Sequence, residues 1–523
     1  MPGTPLKISF VTLGCKLNYA ETSTYERGFV AAGLEPVGWR DGADVFLVNT
    51  CTVTETANRK CRSEIRKLHR LNPSAPIFVT GCYAELKSDE VAAIEGVARV
   101  FRASEKAVVV PETLARLGAA PSNEPAGTPS NEPAGTPSNE PAGTPSNEPA
   151  VTPSNEPAGT EPSLSAKFDG IDHFCGSASS DIFGAYSSGE RTRSFLKVQD
   201  GCDNFCRYCT VPYARGRSRN IPICEAVRMA REIAAAGIRE IVLTGVNTGD
   251  FGRTTRESFL DLLKALNEVD GIDRYRISSI EPNLLTEEII DWIASGTKFQ
   301  PHFHIPLQVG CDELLAAMGR KYTTADFAAK IAYVRRAMEE TEANPVATQP
   351  GADPVAPQHD TGTTLPQPDA ALIAPASDSG REVPYAPTTE SNDGRLPVFF
   401  GIDVMVGLPG ETPELFERTY RFLEELRPAF IHVFPYSKRP GTPAAVMPGQ
   451  VPPEVKAERV ARLEELCARL HSEFEARCKG MRATVLWESR EKDGTMGGYT
   501  DNYIRITRPY DPARVNTLEE IIL

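Results

Sequence analysis

Residues 198–220 read VQDGCDNFCRYCTVPYARGRSRN, and the three cysteines inside them decide the fold. Cys202, Cys206 and Cys209 follow one another at Cys-x3-Cys-x2-Cys spacing, so a single tight loop offers three thiolates. A [4Fe-4S] cube has four irons, and three thiolates leave one iron open for another ligand. The spacing alone also leaves open a structural zinc site or a plain electron-transfer cluster. Position argues against both. The loop follows the apolar run SFLKVQDG (194–201), and five runs of the same kind lie downstream: EIVLTGVN (240–247), RISSIEP (276–282), FHIPLQVG (303–310), FFGIDVMVGLPG (399–410) and FIHVFPYS (430–437). Helical stretches such as CEAVRMAREIAAAG (224–237) and ELFERTYRFLEEL (414–426) separate them. Six strand-then-helix units over 191–476 predict an α/β fold, a partial (β/α)6 barrel with its site at the carboxyl ends of the strands.

The loop resembles that of the radical S-adenosylmethionine (SAM) superfamily. There the open iron chelates the amino and carboxylate groups of the cofactor's methionine, and electron delivery cleaves the sulfonium to give a 5′-deoxyadenosyl radical. The resemblance implies this chemistry at Cys202, Cys206 and Cys209, with Tyr208 packed against adenine. Gly245 and Asn247 end the second run and are candidates to meet the cofactor's methionine, although Gly245 reads equally as a turn residue. Ser279, Glu281 and Gln308 also fall at strand ends, where ribose or methionine contacts and purely structural roles are both open. GLPGET (407–412) lacks the lysine of a phosphate loop and reads as a strand-to-helix turn capped by acids. His302 and His304 read as packing or hydrogen-bonding residues.

Upstream, residues 6–117 alternate strands (KISFVTLG, 7–14; DVFLVNT, 44–50; PIFVTG, 76–81) with helical stretches (ETSTYERGFVAAG, 21–33; ANRKCRSEIRKLHRL, 57–71). This predicts a small α/β domain. Cys15, Cys51 and Cys82 each follow one of its strands. Parallel strands bring such ends together, and three thiolates from separate loops again suit a three-ligand cluster. Three ordinary buried cysteines are the alternative. Cys61, Cys175, Cys224, Cys311, Cys467 and Cys478 have no partner spacing.

The chain has 523 residues and a net charge of -14, which is unusual for a nucleic-acid enzyme. Two segments hold all of that charge. Residues 118–190 carry ten acids against Lys167, and residues 343–395 carry seven acids against Arg381 and Arg395, so the remaining chain is neutral. Within the first, PSNEPAGT runs five times over 121–160, one copy reading PSNEPAVT. With proline every few residues and no large apolar side chain, both segments read as disordered insertions, one linking two domains and one interrupting the barrel. The tail, 480–523, has short strand-like runs and reads as a small all-β module. The sequence has no long apolar run and no secretory start, so a cytoplasmic enzyme without membrane contact is expected.

Six motifs, TLGCKLNYAET (12–22), NTCTVTETANRKCR (49–62), GCYAE (81–85), the 198–220 stretch, GIDVMVGLPGET (401–412) and HVFPYSKRPGTPAAVMPGQV (432–451), together resemble the methylthiotransferases. The likeness covers all three ordered blocks. It implies an auxiliary [4Fe-4S] cluster on Cys15, Cys51 and Cys82, a radical cluster on Cys202, Cys206 and Cys209, and a C-terminal TRAM-like domain that grips RNA. It also implies two molecules of SAM in different roles: one methylates a cluster-attached sulfur, and one is cleaved so that hydrogen leaves an aromatic carbon. TLGCKLN resembles the branch acting on N6-threonylcarbamoyladenosine at tRNA position 37. The isopentenyladenosine branch more usually carries Gln-Met-Asn after this cysteine, and the ribosomal-protein S12 branch Pro-Lys-Asn. The expected partners are the tRNA anticodon loop and a cellular electron donor, with the chain a monomer. Arg207, Arg215, Arg217 and Arg219, with Arg482, Arg505 and Arg508 in the tail, are candidates to meet phosphates. A non-catalytic iron–sulfur RNA-binding protein is the rival of a different class.

Overall fold

The computed structural model describes residues 5–118, 182–188, 192–340 and 394–523. The repeats and nearly all of the second insertion lie outside the described residues. The N-terminal domain is a five-stranded parallel sheet: β1 (Lys7–Thr12), β2 (Glu35–Pro36), β3 (Val45–Thr50), β4 (Ile77–Gly81) and β5 (Val97–Val100), in the order β2-β1-β3-β4-β5. Every residue of β3 and β4 is buried, as continuous apolar strands must be when both faces are covered. Helix α1 (Lys16–Ala31) covers one face with Tyr25 and Phe29; α2 (Glu55–Leu71) covers the other with Cys61, Ile65 and Leu68. Thr54 caps α2 by accepting from the Ala57 amide, and His69 and Arg70 favour its carboxyl end.

The barrel runs through β6 (Ala185–Tyr186), β7 (Arg193–Lys197), β8 (Gln199–Asp200), β9 (Arg219–Asn220), β10 (Glu240–Thr244), β11 (Arg274–Ile277), β12 (Phe299–Gln308), β13 (Phe399–Val406) and β14 (Phe430–Pro435). Its sheet has the order β14-β13-β12-β11-β10-β7-β6, so six parallel strands follow one another in chain order. This is the expected partial barrel. β8 and β9 form a separate antiparallel ribbon at the base of the three-cysteine loop.

One boundary moves. Residues 182–188 fall inside the segment read as linker, yet β6 pairs antiparallel with β7 and Phe183 stacks on Tyr25 at 5.1 Å. A two-residue strand has no periodicity of its own, and its burial comes from α1 and Phe195 rather than from local composition.

The tail is a four-stranded antiparallel sheet, β15 (Arg482–Arg490), β16 (Thr495–Tyr499), β17 (Arg505–Pro509) and β18 (Leu518–Ile522), in the order β17-β16-β15-β18. It closes the N-terminal end of the barrel. Arg276, wholly buried, pairs with Glu240 at 3.0 Å and donates to the carbonyls of Thr500 and Asp501, both at 2.8 Å. Tyr503, in the left-handed region at φ 68°, sets its ring at a tilt against His302, centroids 4.3 Å apart. Among the described residues no helix is long and apolar enough to cross a membrane.

Candidate active site

The N-terminal cysteines converge because β1, β3 and β4 are adjacent and in register: Thr12 lies beside Asn49, and Thr50 beside Gly81. Cys15 sits at the amino end of α1 as its N-cap residue. Cys51 follows β3, and Cys82 follows β4 directly. Gly14 and Gly81 make the approach possible. Both have positive φ, a side chain at Gly14 would lie 3.0 Å from Cys51 Sγ, and one at Gly81 would strike the Thr50 carbonyl at 2.4 Å. Asn18 ties the loops by donating to the carbonyls of Leu13 (2.8 Å) and Thr50 (2.9 Å).

Arg215 reaches this triad from the barrel. It lies at the end of the same loop that carries Cys202, Cys206 and Cys209, and its Nε donates to Cys82 Sγ at 3.2 Å. Its terminal nitrogens bond Asn18 Oδ1 (2.5 Å), Asp200 (2.9 Å) and Glu21 (3.2 Å). Lys197 bonds both acids at 2.7 Å, and Lys106 bonds Glu21 at 2.7 Å. None of these five side chains is more than 5 % exposed. Three cations thus face two anions in a dry junction between the domains. The surplus positive charge is what a thiolate at Cys82 would offset.

Arg439, from the segment after β14, approaches from another side. It is buried, donates to Thr52 Oγ1 at 2.6 Å, lies within electrostatic reach of Cys51, and leaves Nε and Nη1 without partners among the described residues. Burial pushes the Cys51 thiol up to about 11 and raises Cys82 in spite of Arg215. Such thiols give up their protons when metal and cationic neighbours take over the charge.

The second triad is local. Cys202 and Cys206 are buried, Cys209 partly so, and burial raises Cys202 to about 11 and Cys209 to about 12. Arg320 is its cation: it donates to Cys206 Sγ at 3.2 Å and to the Tyr208 hydroxyl at 3.5 Å, and pairs with Glu281. Glu281 is therefore held beside the cysteine loop. Asn247 accepts from the Glu281 amide at 3.2 Å, while its buried Nδ2 has no partner among the described residues, leaving a donor for a bound group. This orphan and the Arg320–Glu281 pair fit a zwitterionic methionine moiety. Gly245 does different work: a side chain there would meet Gln199 Oε1 at 2.8 Å. Gln199 accepts from the amides of Val246 and Asn247, both at 2.9 Å, and so joins the first strand to the second loop. Ser279 turns towards His304, 3.4 Å away, and Gln308 ends β12 in the left-handed region at φ 72°.

Three readings change. Arg215 is buried in the junction, and Arg219 donates to the carbonyls of Arg215 and Arg217, so of the four loop arginines Arg207 and Arg217 remain exposed. The tail arginines are paired with acids: Arg482 with Glu520, Arg505 with Glu491 and Arg508 with Glu519. In GLPGET, Thr412 caps the following helix, whereas Glu411 accepts from the amides of Gly407 (2.7 Å) and Leu408 (3.1 Å) and pairs with Arg459.

A parallel partial barrel with a three-cysteine loop after its first strand defines the class of radical SAM enzymes, and residues 196–347 match the Radical SAM superfamily. Residues 7–102 match the Uncharacterized protein family UPF0004. The chain is 32 % identical to the threonylcarbamoyladenosine tRNA methylthiotransferase MtaB of Bacillus subtilis, over 95 % of this chain and 89 % of that one. It is 29 % identical to the MtaB of Aquifex aeolicus (96 % and 97 %) and 26 % identical to a tRNA-2-methylthio-N(6)-dimethylallyladenosine synthase of Wolbachia pipientis wMel (92 % and 87 %). The protein belongs to the radical SAM methylthiotransferase family, whose radical chemistry uses SAM and a [4Fe-4S] cluster. A solved structure of the radical methyltransferase TsrM from Kitasatospora setae is 14 % identical, with a TM-score of 0.47, over 85 % of this chain and 74 % of that one.

Proposed function

We propose that this enzyme converts N6-threonylcarbamoyladenosine at tRNA position 37 to its 2-methylthio derivative, using two [4Fe-4S] clusters in the cytoplasm. Cys202, Cys206 and Cys209 would hold the radical cluster, and Cys15, Cys51 and Cys82 the auxiliary one. The observation that carries the two-cluster reading is Arg215: it is fixed to the loop of Cys202, Cys206 and Cys209 and donates to Cys82 Sγ. When bound, the two clusters and SAM supply hydrogen abstraction and sulfur transfer, two steps that must act on one carbon.

The protein's own part is alignment and charge. Arg215 and Arg320 each set a guanidinium against one cysteine sulfur, favouring the ligated thiolate. Glu281, held by Arg320, and Asn247, through its Nδ2, would orient the amino and carboxylate groups of the cofactor's methionine, with Tyr208 against adenine. Gly245 packs against Gln199 beside them, and Ser279 and Gln308, at neighbouring strand ends, would border the same cofactor.

RNA contact belongs in this reading to Phe205 and Tyr213, exposed aromatics with rings 5.9 Å apart, and to Arg217 above Phe205 at 5.3 Å. An exposed aromatic pair with an arginine suits a splayed anticodon loop better than paired surface charges do. The tail contributes as a TRAM-like module beneath the barrel. The test is mass spectrometry of tRNA nucleosides from a strain lacking the gene, with and without complementation. Loss of 2-methylthio-N6-threonylcarbamoyladenosine is expected, and its unchanged presence refutes the reading.

A further inference from the structure

The inner faces of β12, β13 and β14 carry a polar group that neither triad uses. His304 Nε2 lies 2.7 Å from Asp403 Oδ1, the His304 and His432 rings are 5.2 Å apart, and the ligand atoms of all three residues lie within 4.8 Å of one another. Gly401 leaves the space between the two rings open: a side chain there would meet His432 Nε2 at 3.7 Å and His304 at 3.8 Å. Below them His302 is stacked on Phe399 (5.3 Å) and has the tilted ring of Tyr503 on it at 4.3 Å, so the tail forms a floor.

Lys16 enters this space from the N-terminal domain, one residue after Cys15. It lies within electrostatic reach of Asp403, Tyr503, Arg193 and Cys15, and His432 feels it together with His304 and Asp403. Lys16 is exposed to solvent. Its neighbours are already committed: Asp403 to His304, Arg193 to Glu488 at 2.8 Å and to Tyr503 at 3.3 Å, and Arg276 to Glu240. Lys16 makes no hydrogen bond or ion pair with any described residue. An ammonium facing two histidines, with the lone carboxylate taken up, disfavours a divalent metal and favours an anion.

We propose that Lys16, His304, His432 and Tyr503 form a subsite for a carboxylate on the substrate's base, with Lys16 as counter-ion and Asp403 holding His304 in orientation. This rests on the substrate reading above. An N6-threonylcarbamoyl arm carries such a carboxylate and a hydroxyl, whereas a dimethylallyl arm carries neither. A radical centre at the top of the barrel and an anion hook within it would hold the adenine between them.

The test measures equilibrium binding of three anticodon stem-loop RNAs to the reconstituted full-length protein: one bearing N6-threonylcarbamoyladenosine, one with its carboxylate masked as the methyl ester, and one bearing N6-dimethylallyladenosine. The free acid is expected to bind roughly 10- to 100-fold tighter than the ester, as a charge-assisted contact predicts. Lys16→Met should erase that ratio, and Lys16→Arg should keep most of it. Equal binding of acid and ester by the unaltered protein overturns the subsite while leaving the substrate intact. So does a Lys16→Met protein that weakens both alike. Tightest binding of the dimethylallyl RNA overturns the substrate reading and the subsite with it.

Discussion

The two cysteine triads are built on opposite plans and carry the same electrostatic device. Cys202, Cys206 and Cys209 come from one loop, whereas Cys15, Cys51 and Cys82 come from three strand ends brought level by a parallel sheet. Yet each has one buried arginine donating to one sulfur at 3.2 Å, Arg320 to Cys206 and Arg215 to Cys82, with Arg320 held by one carboxylate and Arg215 by two. The scaffolds differ because one triad needs only a loop and the other needs a whole domain to close. The charge device recurs because a dry thiolate needs a fixed cation in either setting.

Changing Cys15, Cys51 and Cys82 together to alanine is expected to have the largest effect: methylthio product falls to zero and iron content to about half, while reductive cleavage of SAM persists. Iron assay and 5′-deoxyadenosine chromatography check this, and loss of cleavage as well would mean that the triads are not separable. Next comes Arg215→Met, which strands Glu21 and Asp200 among fewer cations; by the usual cost of breaking a buried ion network it should lose about 3–5 kcal/mol in thermal or denaturant unfolding. Arg320→Met has one carboxylate to strand, and its loss should be smaller and confined to the radical centre.

Acid should act on the same junction through its carboxylates. Lys106, Lys197 and Arg215 hold the Glu21 carboxyl well below its ordinary value of 4.5, and Asp200 is lowered by the same cations. Depressed carboxyls contribute stability that is present above their unfolded values and lost as pH falls. Unfolding of the junction should therefore steepen below about pH 4.5, and Glu21→Gln should flatten that dependence while lowering stability at pH 7. Equal acid sensitivity in both proteins would assign the effect elsewhere. Deleting 121–160 should have the smallest effect, with turnover kept, because contacts through Arg215 rather than chain length align the triads.

The local triad was legible in the sequence because its ligands share one loop, and the six-strand barrel because each strand is apolar and each helix has its own period. Cys15, Cys51 and Cys82 were legible as a pattern only, each after a strand. What joined them, Arg215, was read as a phosphate contact, since an arginine in YARGR gives no local sign of being buried 133 residues away against Cys82. Gln199, Arg320 and Arg439 were missed for the same reason: their roles lie in contacts between distant segments. Lys16 shows no role within its motif, because only the closed barrel and the tail give it surroundings.

Arg215 also has a consequence for exchanging parts between relatives. The N-terminal domain receives that side chain from the barrel, so a chimera joined at the covalent boundary would separate a triad from its counter-charge. The unit that can be transplanted is the domain together with residues 198–220 and the acids they meet, a seam defined by electrostatics and invisible in the order of the chain.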